Sequence, residues 1–109
     1  MSNVVLRPQR NLDIKGASLL QQRAFNLLPP PENSCWVLDL VEVNVINHFG
    51  LTALMSVRRA ARQHRCRLYL LNIKQPVRYM LEITELETKF DYLEHLDDAF
   101  TEKIRLLLC

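Results

Sequence analysis

The stretch from Trp36 to Leu51, WVLDLVEVNVINHFGL, constrains the chain more than any other. Trp36 to Leu40 reads as a buried strand, and Gly50 stands where a helix opens. A loop lies between them. An apolar strand followed closely by a helix is the working unit of an open α/β sheet, where function gathers at the carboxyl end of a strand and the start of the next helix. That helix start adds unpaired N–H groups and a partial positive charge.

The other segments fit the same alternation. Val4 to Arg7 reads as a short strand broken by Pro8, and Asn11 to Ile14 as a second short strand or a turn. Asp13 is a helix N-cap ahead of Gly16. Leu20, Ala24, Leu27 and Leu28 then form one apolar face, up to the stiff connector Pro29-Pro30-Pro31. The second helix is expected from about Phe49 to about His64. Gly50, Ala53, Leu54, Val57 and Ala61 share a face of mostly small residues, suited to close packing on a sheet. The neighbouring stripe is Leu51, Met55, Arg58, Arg62 and Arg65, apolar at its start and basic further along.

Leu68 to Leu71 predicts a further strand. Pro76 reads as the first position of a third helix, with Val77, Met80 and Leu81 facing inward. Phe90 to Leu93 is a weaker strand. Asp97 or Asp98 is placed in the first turn of a final helix, whose inner face would be Phe100, Ile104, Leu107 and Leu108. The order β(β)αβαβαβα predicts one α/β domain over residues 1–109, with no internal repeat.

Composition narrows the function. Hydrophobic residues make up 49%, enough for a core and too many for a disordered chain. A formal net charge of +2 does not favour nucleic acid as a partner. No apolar run approaches a membrane span, and MSNVVLRPQR lacks the apolar stretch of a signal peptide, so a cytoplasmic location is expected.

Catalytic or metal-binding chemistry has little to work with. With only Gly16 and Gly50, the chain has no glycine-rich phosphate cradle. His48, His64 and His95 lack metal-ligand spacing, as do Cys35, Cys66 and Cys109. Cys35 and Cys66 each stand at the opening of a strand and read as reduced structural thiols. Arginines near Cys66 could lower its thiol pKa, but a buried structural role is the stronger reading. Glu82, Glu85 and Glu87 read as a solvated face. Arg58, Arg59, Arg62, Arg65 and Arg67 could meet phosphates but lack interleaved aromatics, and a solvated helix face is preferred. No nucleophile–base pair stands out. The expectation is a protein with no enzymatic activity, no cofactor and no metal.

From Val37 onward the chain resembles a STAS domain, the fold of bacterial anti-sigma factor antagonists. VLDLVEVNVINHFGL is similar to that family's strand, loop and D-S-S-G-L turn. LYLLNIKQPVRYMLEITELETKFDYLEHLDDAF is similar to its next strand, helix and closing phrase. LRPQRNLDIKGASLLQQ resembles its approach to the first helix, with Arg10-Asn11 in place of a small residue or glycine. The resemblance implies a mixed sheet of about four to five strands packed against about four helices. A glycine-containing turn is common between the second helix and the next strand. Here that place holds Gln63-His64-Arg65-Cys66.

The departures matter as much. Aligned on Gly50 and Leu51, the D-S-S places hold Asn47, His48 and Phe49. Phe49 stands where phosphorylatable members carry the serine that a partner kinase modifies, and it has no hydroxyl. His48 has the location of a phosphoacceptor without supporting aspartate chemistry. Phe49 has two readings: a drifted residue tucked onto the domain, or an exposed anchor beside Leu51 and Met55, rimmed by Arg58 and Arg62. The second makes Asn47, His48, Phe49, Gly50, Leu51, Met55, Arg58 and Arg62 a partner-binding set. The resemblance implies a kinase-like anti-sigma factor or related signalling protein as partner, bound without the phosphorylation switch. The alternative is a soluble subunit or regulatory module of a membrane transporter or another assembly, with ligand binding in its range. Homodimer formation stays open.

Overall fold

The computed structural model describes residues 3–96 and 104–109. Five strands form one sheet: β1 (Asn3–Arg7), β2 (Cys35–Asp39), β3 (Arg67–Leu71), β4 (Asp91–Leu93) and β5 (Arg105–Leu108). Three α-helices connect them: α1 (Ile14–Phe25), α2 (His48–Gln63) and α3 (Gln75–Ile83). A 3-10 turn, Glu87–Lys89, precedes β4. The order across the sheet is β4-β3-β2-β1-β5.

Every ladder is parallel, which corrects the expected mixed sheet. The reason lies in the connections. Helices α1, α2 and α3 each return the chain to the starting edge, so successive strands point the same way. Parallel strands covered on both faces carry nearly continuous apolar runs, and all five residues of β2 are buried.

The two sheet faces are packed differently. Val4, Leu6, Trp36, Leu38 and Leu70 point to one face and share a core with Leu20 and Ala24 of α1, Leu54 and Val57 of α2, and Val77 and Leu81 of α3. All three helices therefore lie on that face. Val5, Cys35, Val37 and Leu71 point to the other, where Tyr69, Leu93, Leu96 and Ile104 pack partly against them.

The sequence-based boundaries shift by a residue at most points. Helix α3 starts at Gln75, so Pro76 falls at its second position. Cys35 opens β2, whereas Cys66 lies just ahead of β3. Asn11 to Ile14 is mostly turn: Leu12 makes a single parallel bridge to Ile46, and Ile14 already belongs to α1. Leu27 and Leu28 lie beyond α1 and pack half-buried on the core. Glu82 and Glu85 are exposed, while Glu87 is half-buried.

The larger correction concerns the final helix. Ile104 precedes β5, and Leu107 and Leu108 lie within it, pairing in parallel with β1. The places expected for Asp97, Asp98 and Phe100 lie outside the described residues. Three α-helices, rather than about four, stand among the described residues.

Candidate functional site

The loops at the carboxyl end of the sheet are tied to one another by short polar side chains. Asn47 caps α2: its Oδ1 accepts from the backbone N–H of Phe49 at 3.0 Å and of Gly50 at 3.3 Å. Asp13 does the same for α1, accepting from Gly16 N at 2.9 Å. That hydrogen bond, ahead of all other causes, holds the Asp13 carboxyl below its ordinary pKa. Asn11 spans the two loops, its Oδ1 accepting from Asn44 N at 2.9 Å and Val45 N at 3.1 Å. Leu12 N donates to Val45 O, and Asn47 N to Leu12 O. The loop after β3 joins through Lys74 Nζ, which donates to Asn44 Oδ1 at 2.6 Å.

Beneath these loops lies Asp39, the last residue of β2, only 3% exposed. Its Oδ2 accepts from Arg7 Nε at 2.8 Å. Its Oδ1 accepts from Asn72 Nδ2 at 3.0 Å and from Val41 N at 3.1 Å. Both oxygens accept hydrogen bonds, so Asp39 locks β1, β2 and β3 together at their carboxyl ends.

At this end of the sheet three apolar side chains stand exposed among polar ones. Phe49 is 41% exposed, Val45 55% and Ile14 62%. The Phe49 ring lies against the His48 ring, centroids 4.1 Å apart and tilted by 35°. Phe49 points outward and is not tucked onto the domain.

The structure does not bring the whole expected partner-binding set together. At about 100° per helical residue, Leu51, Met55, Arg58 and Arg62 lie roughly 180–240° round the helix from Phe49. Leu51 is buried in the core at 8% exposure. Met55 packs half-buried against that core. Arg58 turns its Nε to Lys89 O at 2.7 Å, and Arg62 is exposed. These four share a side of α2 with one another and not with Phe49. Asn47, His48, Phe49 and Gly50 do form one continuous turn.

Sequence reasoning missed Asp39, Asn11, Val45 and Ile14. Asp39 carried a signal: one carboxylate inside an apolar strand, with a cation on the neighbouring strand. Val45 and Ile14 carried none, because exposed apolar residues look like core residues in a string of letters. The thiols are chemically quiet. Burial pushes the Cys66 pKa up to about 12, outweighing the nearby Arg67. Burial also raises Cys35 and Cys109. Among the described residues no helix is long and apolar enough to cross a membrane.

Comparisons with known proteins agree with this geometry. Among solved structures, a candidate anti-sigma factor antagonist from Thermotoga maritima superimposes with a TM-score of 0.77 at 22% identity, covering 88% of this chain and 83% of that one. A sulfate transporter family protein from Wolinella succinogenes superimposes with a TM-score of 0.62 at 20% identity, covering 88% and 80%. At these identities the likeness is one of fold. The STAS domain family model matches residues 2–99, nearly the full length described above, and the chain belongs to the STAS domain family.

Proposed function

We propose that this chain is a non-enzymatic regulatory STAS domain that binds a protein partner through the turn opening α2, with no phosphorylation at the family's serine position. The observation that carries the reading is Phe49: an outward-facing aromatic ring, 41% exposed, at the place of the phosphorylatable serine. Exposed aromatic side chains over a rigid support are typical anchors of protein interfaces. Here the support is the Asn47 cap and the Asn11 bridge. Val45 and Ile14 widen the apolar area at the same end of the sheet. The partner class that fits is a kinase-like anti-sigma factor or a related signalling protein in the cytoplasm.

In phosphorylatable relatives a phosphate on this turn would repel the partner by charge and bulk. A phenylalanine keeps the turn in one state, so binding is constitutive and regulation falls to the partner. Of the set first expected from sequence, Asn47, His48 and Phe49 remain as contact residues, with Gly50 shaping the turn.

The test is an affinity capture from the native cytoplasm with wild-type protein and Phe49→Asp side by side, read by mass spectrometry. A kinase-fold partner should be recovered with the wild type and lost with the variant, and the recovered chain should carry no phosphate on residues 47–49. The same partners from both baits would sink the reading.

A second reading is favoured by the fold shared with the sulfate transporter family protein. In it the domain is a module of a transporter or another assembly. Transporter subunits recovered equally with wild type and Phe49→Asp would select it.

A further inference from the structure

The other end of α2 carries a feature that the turn does not need. A groove of about 210 Å³ runs between the last turns of α2 and the amino ends of β3 and β4. Arg58, Arg62, Arg67 and Lys89 line it, against a single carboxylate, Asp91, with Leu68 and Phe90 also in the wall. The groove thus gathers a local charge of +3, whereas the whole chain carries +2. A second depression of about 310 Å³ shares Arg58 and Arg62 and adds Arg59.

Among the described residues no carboxylate stands within ion-pair distance of these cations. The one side-chain ion pair among the described residues is Arg7 with Asp39, at the opposite end of the sheet. Arg58 and Arg62 stand four residues apart on one helix face, a like-charge spacing that repels unless an anion sits between. Arg58 is also held in place. Its Nε donates to Lys89 O at 2.7 Å, which fixes the guanidinium at the groove mouth and leaves its terminal N–H groups free for a ligand. Fixed guanidinium forks match the oxygens of phosphate better than a flexible ammonium does.

We infer that this groove binds a phosphate monoester, with Arg58, Arg62 and Arg67 on the phosphate oxygens and Lys89 adding charge. Several cations around one small space suit a group carrying close to two negative charges better than a lone carboxylate. The volume holds a phosphate with a small body, and Leu68 and Phe90 give that body an apolar wall. The aromatic residue absent from the arginine-rich stretch of sequence is supplied by the chain leading into β4. Phe49 and Arg62 are thirteen residues apart along α2, roughly 20 Å, so this site is separate from the proposed partner turn.

The experiment is an amide chemical-shift titration of the full chain at constant ionic strength with inorganic phosphate and glycerol 3-phosphate, with chloride and acetate as controls. Saturable shifts should centre on Arg58, Arg62, Arg67 and Lys89. They should weaken by at least about tenfold in the double variant Arg62→Glu with Arg67→Glu, and persist in Phe49→Asp. Arg62 and Arg67 are exposed, and the unchanged remainder of the spectrum reports that the double variant is folded. Equal shifts with chloride or acetate, or shifts that survive the double variant, would overturn the site. Sedimentation with vesicles of phosphatidylcholine containing phosphatidic acid, whose headgroup is a phosphate monoester, separates the sources of phosphate. Binding lost in the double variant assigns it to a lipid headgroup. Glycerol 3-phosphate saturation without sedimentation assigns it to a soluble ester. No response to either probe rejects the inference.

Discussion

At the scale of single residues, Gly50 is a position with almost no freedom. A Cβ built there would lie 2.3 Å from Leu12 O and 2.5 Å from Ile46 Cγ1. The first obstacle is backbone, which cannot swing aside as a long side chain can. Gly16 meets the same obstacle, with Asn11 O only 2.0 Å from its missing Cβ. Both glycines therefore let a helix start press against the loop after β1. Gly50→Ala is expected to destabilise by about 3 kcal/mol, the upper end for inserting one methyl group into a packed site. Urea unfolding measures it, and an unchanged midpoint would show that the loop yields. Arg65 illustrates the reverse case. Its φ of 54° places it in the left-handed region, which favours glycine. The sequence showed a turn after α2 without glycine, and the structure shows that Arg65 is the residue that takes the left-handed conformation there.

At the scale of elements, α2 was legible and its surface was not. The small-residue face of Gly50, Ala53, Leu54, Val57 and Ala61 is buried as its spacing predicted. The Asp13 cap of α1 was legible too. The error was to group Phe49 with Leu51, Met55, Arg58 and Arg62 because they are close in sequence, when helical rotation sets them on opposite sides. The end of the chain misled for another reason. Ile104, Leu107 and Leu108 fit helical spacing, but a run of three leucines fits a strand equally well. Pairing with the free edge of β1 decided between them, and no local pattern reports a partner about a hundred residues away. The strand ends depend on a similar long-range contact. Asp39 holds Arg7 and Asn72, and Asp39→Ala would strand a half-buried guanidinium. Breaking a buried pair costs about 3–5 kcal/mol. The lower end is expected here because Arg7 keeps 31% of its side chain exposed. Thermal unfolding of Asp39→Ala beside Arg7→Met reads this out. Arg7→Met leaves the more deeply buried charge, Asp39, without its cation and should cost at least as much as Asp39→Ala, and a clearly smaller loss would show that Asn72 and the Val41 N–H satisfy the carboxylate on their own.

At the scale of the whole molecule, a five-stranded parallel sheet has to bury both faces, and the three described helices cover one of them. Cys35 lies on the face away from the helices and Cys66 in the core beneath them, so each face hides a thiol. Burial raises both pKa values, Cys66 to about 12 from an ordinary 9.0. Below about pH 9 the folded and unfolded chains both hold these protons, and stability does not depend on them. Above it the unfolded chain releases them while the folded chain keeps them. Stability then falls as pH rises, by at most about 1.4 kcal/mol per pH unit for each thiol. The fall continues until the pH passes the folded value. Urea midpoints for the wild type should therefore be flat from pH 7 to 8.5 and decline from pH 9 to 10.5. Cys66→Ala should start from a lower midpoint because it leaves a small cavity, yet decline less steeply over the same interval, with Cys35, Cys109 and, from about pH 10, Tyr92 supplying what slope remains. Parallel curves for wild type and Cys66→Ala would mean that water reaches this thiol in the folded state, and that the packing between the end of α2 and the start of β3 is looser than the burial of Cys66 requires.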